Sequence, residues 1–460
     1  MDLLHSPTSR DARSTARDRL TAWHDRARPP QMSGLPPGPV RIPTAIQTLG
    51  LWTMRPSFLR HMQRRYGDVF TVSDLPVGKV VVLCGATDVR TVLRGHPDLY
   101  LGGDGNSALG PVVGARSVIT LDGHDHRSER KSMIPAFHGS RISAMTTSME
   151  ELTRREISSW PFGTSFSLLN RMQDLSLRII VRTIIGESNP VEADKLTLAL
   201  RAALPQRLID LAVWQFPPLA GIRPWRGFLK AMDHADELLY RQIERCRVDP
   251  ARETRSDVLS MLLDESRDDE TIRDGLMSLL VAGHETTAVE LAWVFEELLR
   301  DQYSLERIHA GLDCDDDPYR AAVIKETLRL HPAIFNVMRR ITDDVELSDG
   351  RRLRAGTLVM PSIGSVHTDV RVWGPDARRF RPARWFEPQV PEAAWFPFGG
   401  GARRCLGSSF ALSEIDVVIR TILRSTQLVP DRRAHERQRM HHATVVPHRG
   451  TRVRLRSRRG

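Results

Sequence analysis

The chain has 460 residues, 41% of them hydrophobic, enough for a sizeable core and well short of a membrane composition. Lys and Arg number 66 against 56 Asp and Glu, for a formal net charge of +10. Lysine occurs only at Lys79, Lys131, Lys195, Lys230 and Lys325, so nearly all the positive charge is arginine, which pairs bidentately with carboxylates. No helix-turn-helix, zinc-finger or aromatic-stacking pattern accompanies that charge; this argues against nucleic acid and for an acidic protein partner. The leading residues, with Arg10, Asp11, Arg13, Arg17, Asp18 and Arg19, contain no apolar run for a signal peptide or anchor, and no later stretch is long enough to span a bilayer. Cys84, Cys246, Cys314 and Cys405 are scattered without disulfide or zinc spacing, which points to a reducing cytoplasm.

In chain order, residues 1–33 read as a polar, partly disordered leader, and 34–460 as a single catalytic domain with a basic C-terminal tail. Leu35-Pro36-Pro37-Gly38-Pro39 is a rigid entry that excludes helix. Phe70-Thr71-Val72 and Val80-Val81-Val82-Leu83, separated by Pro76 and Gly78, predict a hairpin. Residues 96–118 are glycine-rich and irregular; 125–333 are mostly helical, with breaks near Pro190, Pro205, Pro217-Pro218 and Pro224. Short strands and turns fill 338–388, a helix restarts after Cys405, and the arginines from Arg452 to Arg459 alternate like a last strand running into a tail. The class is mainly α with a small β-rich subdomain. The sequence holds no G-x-G-x-x-G fingerprint and no iron–sulfur cysteine cluster, so no reductase is fused to it.

The densest chemistry lies in Phe398-Gly399-Gly400-Gly401-Ala402-Arg403-Arg404-Cys405-Leu406-Gly407. Glycines allow positive φ and close approach to a flat ligand. Neighbouring arginines favour thiolate over thiol, and a thiolate offered from such a loop suits an axial ligand of haem iron. A second string, Ala282-Gly283-His284-Glu285-Thr286-Thr287, interrupts an apolar helical run from Leu276 to Leu298. Gly283 costs about 1 kcal/mol against alanine in a helix, and polar residues in an apolar helix cost more unless used. Glu326 and Arg329 share a helix face at i, i+3, and His126 and Arg130 do so at i, i+4. His284 reads as a hydrogen-bonding core or loop-facing residue.

These strings, in this order, resemble those of the cytochrome P-450 superfamily over roughly residues 35–455: F-x-x-G-x-R-x-C-x-G at Phe398, Gly401, Arg403, Cys405 and Gly407; the oxygen-activation helix at 282–287; E-x-x-R at Glu326 and Arg329; and H-x-x-x-R at His126 and Arg130. The family's F-x-P-E-R segment reads Phe380-Arg381-Pro382-Ala383-Arg384, with alanine for glutamate but the arginine kept. The resemblance implies the P-450 fold and haem b with Cys405 as its axial thiolate. It implies propionate contacts from His126, Arg130, Arg403 and Arg339, with Arg340 the alternative to Arg339. A small residue leaves room over the iron, Glu285 and Thr286 relay protons with Thr287 adjacent, and Glu326, Arg329 and Arg384 brace the cysteine loop.

The activity so implied is a soluble, bacterial-type monooxygenase. It inserts one oxygen atom from dioxygen into a small apolar substrate, with NAD(P)H electrons from a separate ferredoxin or flavoprotein and its reductase. Alternatives are a peroxide-driven peroxygenase and a non-catalytic haem sensor; the Glu285–Thr286 pair argues against both. Residues 101–113, 208–228 and 334–337 would shape a large apolar pocket.

Overall fold

The computed structural model describes residues 15–19, 34–75, 77–137, 139–186, 190–203, 221–222, 225–255, 257–264 and 267–458. Among these, helices carry most of the core. The organising helices are α1 (Gly123–Met133), α2 (Leu168–Ile185), α3 (Trp225–Arg247), α4 (Asp269–Leu298), α5 (Pro318–Leu330) and α6 (Ser408–Ser425). Helix α4 is 30 residues long, about 45 Å at 1.5 Å per residue. It starts where the Asp268 carboxylate caps the Thr271 N–H, and its residues are buried on nearly every side, as befits a helix with apolar residues all round. It runs unbroken through Gly283. An added Cβ there would lie 3.3 Å from Ile180 of α2, so this glycine serves close packing of two helices.

The hairpin expected near residue 76 forms from β1 (Val69–Asp74) and β2 (Gly78–Leu83), paired Phe70 to Val82 and Val72 to Val80. Strands β3 (Tyr100–Leu101), β4 (Arg339–Ile341) and β5 (Leu358–Pro361) complete a sheet in the order β1-β2-β5-β4-β3. Here β5 runs parallel to β2 and antiparallel to β4. Strands β6 (Gln438–His441) and β7 (Thr444–Pro447) form a hairpin laid on α4: Trp293 Nε1 donates to the Val445 carbonyl at 2.8 Å. The arginine-rich strand Arg452–Arg458 pairs with Thr426–Pro430 and Ser165–Ser167, as its alternation predicts.

Two sequence expectations change. The stretch 96–118 is not simply irregular, since Gly102–Gly105 and Gly110–Val113 are helical turns. Part of the leader is tied to the core: residues 16–19 are helical, Ala16 is buried, and Arg19 pairs with Asp236 of α3 at 2.8 Å. Pro190 begins the helix Pro190–Ala203, where a missing N–H does no harm. Pro205, Pro217-Pro218, Pro224 and most of the 208–228 segment lie outside the described residues.

Candidate functional site

The cysteine loop closes on itself. Cys405 N–H donates to the Phe398 carbonyl at 2.9 Å, and Gly399 N–H to Phe396 at 2.9 Å. Gly399 and Gly401 sit at φ 69° and 60°, the left-handed region. A Cβ on Gly401 would also fall 2.7 Å from the Leu93 carbonyl. Gly407, at φ −85°, needs no such freedom; it leads into α6, and its N–H faces the Cys405 sulfur. Cys405 opens onto a cavity of about 330 Å³ lined by Arg130, Phe137, Arg404 and Ser408. Burial by the surrounding chain pushes the Cys405 thiol above its ordinary value, and the Gly407 N–H, Arg130 and Arg404 offset only part of that.

Behind the loop stands the ion-pair brace. Glu326 and Arg329 of α5 are fully buried, at 0% exposure. Arg329 Nε and Nη2 donate to the two Glu326 oxygens at 2.9 and 2.8 Å, and Arg384 Nε donates to Oε1 at 2.9 Å. The Arg381 N–H and Trp385 Nε1 add bonds of 3.0 and 3.1 Å to the same carboxylate. The remaining nitrogen of Arg329, Nη1, donates to the carbonyls of His367 and Ala377, both at 2.6 Å. Each buried charge is thus paired and hydrogen-bonded, the condition for burying it at all. Stacked edges carry the brace outward: Trp373 to Trp385, Trp385 to Trp395, Trp395 to Phe398, with centroids 5.9, 5.4 and 6.4 Å apart. His367 adds a fixed point. Its Nε2 accepts from the Phe396 N–H at 3.0 Å, and burial with Arg329 behind it holds its pKa down to about 3.

A cationic receptor lies alongside. His126 is buried on α1 with Arg130 one turn on, and Arg403 reaches in from the cysteine loop. Arg403 pairs with Asp122 and donates to the carbonyls of Leu121 and, at 3.0 Å, Val118. The other Asp122 contacts are backbone N–H groups of Gly102, Gly103 and Asp104, at 2.9, 2.8 and 2.7 Å. Adjacent residues of β4 point to opposite faces. Arg340 is spent on Asp104 at 2.6 Å and the Gly356 carbonyl at 2.9 Å. Arg339 is buried beside Arg403, and burial with that neighbour's charge brings its pKa down to about 10. Among the described residues neither Arg130 nor Arg339 has a carboxylate partner of its own. Positive charge of this kind, buried at Arg339 and half-buried at Arg130, fits a ligand that brings two carboxylates, as haem does.

On α4, Ala282 is exposed and Val281, Gly283, Glu285 and Thr286 are half-exposed, within a helix otherwise buried from Ile272 to Leu298. Thr286 Oγ1 donates to the Ala282 carbonyl at 2.7 Å. Thr287 is buried, and His284 is a core residue whose Nδ1 meets the Leu280 carbonyl at 2.9 Å. Glu285 turns to the β6–β7 hairpin. Its Oε1 pairs with His441 Nδ1 at 2.7 Å and accepts from Thr444 Oγ1 at 3.0 Å. Burial pushes the Glu285 carboxyl up, but the hydrogen bond and charge of His441 outweigh it and hold the group below its ordinary value. His441 and Thr444 went unnoticed in the sequence: they lie 156 and 159 residues from Glu285, and only the His441-His442 dipeptide hinted at them.

A mainly helical fold with one cysteine loop set before a buried helix, next to a receptor for two carboxylates, defines a haem-thiolate protein. Comparison with known proteins agrees. The family model for cytochrome P450 matches residues 36–454. The chain is 37% identical to a Mycobacterium bovis protein named cytochrome P450 135B1, over 93% of this chain and 92% of the relative. It is 34% identical to Mycobacterium tuberculosis cytochrome P450 135A1, over 92% and 95%, and 35% identical to cytochrome P450 138 of the same organism, over 93% and 98%. The chain belongs to the cytochrome P450 family. Its cofactor is haem b, held through a cysteine thiolate, and its reaction class is that of the monooxygenase oxidoreductases. Among the described residues no helix is long and apolar enough to cross a membrane.

Proposed function

We propose that the chain inserts one oxygen atom from dioxygen into a small apolar organic substrate, with NAD(P)H electrons delivered by a separate ferredoxin or flavoprotein and its reductase, in the cytoplasm. Cys405 is the axial thiolate, in the loop shaped by Phe398, Gly401 and Gly407. His126, Arg130, Arg339 and Arg403 hold the propionates, and Glu326, Arg329 and Arg384 brace the loop. When bound, the haem supplies iron made electron-rich by the thiolate, which favours O–O cleavage. The chain's own work is to place protons and exclude water. The observation that carries this reading is the Thr286 hydroxyl on the open stretch of α4, donating to the Ala282 carbonyl at 2.7 Å, next to a Glu285 kept ionised by His441. That pair passes protons inward, a service worth about 10²–10⁴ in rate.

Two variants test it. Cys405→Ala should lose the long-wavelength Soret band of the reduced carbon monoxide complex, while Cys84→Ala and Cys314→Ala keep it. Thr286→Ala should still consume NAD(P)H but release hydrogen peroxide in place of product. Supplied with peroxide directly, it should lose far less activity, since a peroxide-driven reaction has no need of the relay. Thr287→Ala is the control. Full coupling in Thr286→Ala with uncoupling in Thr287→Ala would move the role one residue on; coupling in both would sink the relay.

A further inference from the structure

The turn that faces Glu285 is built unusually. β6 and β7 are joined by two residues, His442 and Ala443, between the paired His441 and Thr444. His442 has φ 53°, in the left-handed region where such turns ordinarily carry glycine, asparagine or aspartate. Along a regular strand, neighbours point to opposite faces. Here the turn swings the two imidazoles together, with centroids 4.1 Å apart. One ligand atom from each of Glu285, His441 and His442 lies within 4.8 Å of the other two. All three are half-buried, so an ion has a route in and room to keep a water. Thr444 Oγ1, donating to Glu285 Oε1 at 3.0 Å, steadies the carboxylate from behind, as outer-shell partners of metal ligands do.

Two imidazoles and one carboxylate suit a borderline-soft divalent ion in tetrahedral geometry with one open position. Zinc bonds of about 2.0–2.2 Å set ligand atoms roughly 3.3–3.6 Å apart. The Glu285–His441 pair, now at 2.7 Å, has to part by roughly an ångström or less, and His442, within 4.8 Å of both, to close by at most about 1.5 Å, both within side-chain rotation. We propose that Glu285, His441 and His442 form a site for one divalent transition-metal ion of the zinc class, and that filling it stops oxygenation by holding Glu285 away from the relay through Thr286. The ion takes the place of the proton shared by Glu285 Oε1 and His441 Nδ1, and that proton leaves to solvent. The inhibitory half rests on the relay proposed above; the binding half stands on geometry alone.

The test uses haem-loaded enzyme freed of other metals by a chelator, dialysed to equilibrium against Zn²⁺, with zinc counted per haem iron by mass spectrometry. One zinc per haem is expected. His442→Gly, which suits the turn and removes the ring, and His441→Ala should each weaken binding at least tenfold while the reduced carbon monoxide spectrum stays unchanged. No zinc above background, or equal binding in both variants, would overturn the site. In turnover, the first equivalent of zinc should abolish coupled product formation, reversibly on adding chelator, in wild type but not in His442→Gly. Stoichiometric binding with undiminished coupling would overturn the switch. If Thr286→Ala stays coupled while zinc still binds through His442, the failure belongs to the relay and the metal site stands.

Discussion

Two glutamates on buried helices, Glu326 and Glu285, live in opposite circumstances. Glu326 is fully buried, and both its oxygens accept from donors of Arg329, Arg381, Arg384 and Trp385. The Glu285 side chain is 21% exposed, and both its bonds fall on Oε1, from a hairpin turn that approaches across a gap in the sequence. Moving Glu326 would strand two arginines in a dry interior; moving Glu285 trades one half-exposed ion pair for water. The first is a rivet and the second a latch. The difference follows from solvent access, since the Coulomb partners are equally close.

The comparison can be broken by removing the same charge in both places. Glu326→Ala should cost about 3–5 kcal/mol and yield little haem-loaded protein, because Arg329 and Arg384 lose their buried counter-charge. A stable, fully haem-loaded Glu326→Ala enzyme would end the contrast. Gly401→Ala comes next. An alanine at φ 60°, with its Cβ 2.7 Å from the Leu93 carbonyl, should cost about 1–3 kcal/mol, read as a lowered urea midpoint.

His367 sharpens the comparison through pH. Its folded pKa of about 3 lies below the ordinary imidazole value of 6.5. Between those values the unfolded chain binds a proton that the folded chain refuses, so stability should fall as pH drops below about 6.5, by at most about 1.4 kcal/mol per unit. Urea midpoints at pH 7 and pH 5 should separate more in wild type than in His367→Gln, and equal slopes would refute the assignment. The smallest effect belongs to the latch: Glu285→Ala should lower the unfolding free energy by about 1 kcal/mol or less, since its ion pair is partly open to water. A loss comparable with that of Glu326→Ala would show Glu285 to be structural too.

What the sequence disclosed, and what it hid, follows the same division. Cys405 with its glycines, Glu326 with Arg329, and His126 with Arg130 could be singled out because each group lies within a few residues of chain. Arg384 was found through its segment despite the alanine at 383. Partners across the fold were not: His441, His442 and Thr444 meet Glu285 through hairpin placement alone, and Asp122 showed no sign of the amides it gathers. Gly283 packs against Ile180, a neighbour on another helix that spacing along the chain does not reveal.

Asp122 has one more consequence. Its carboxylate grips the amides of residues 102–104 with one hand and the guanidinium of Arg403, two residues before Cys405, with the other. Those two segments are nearly three hundred positions apart in sequence, yet mechanically they are one piece. Any shift of residues 102–104 must either break their bonds to Asp122 or carry Arg403 and the Cys405 loop along. Displacement on one side is thereby passed, as a tug on a single carboxylate, to the loop that carries Cys405.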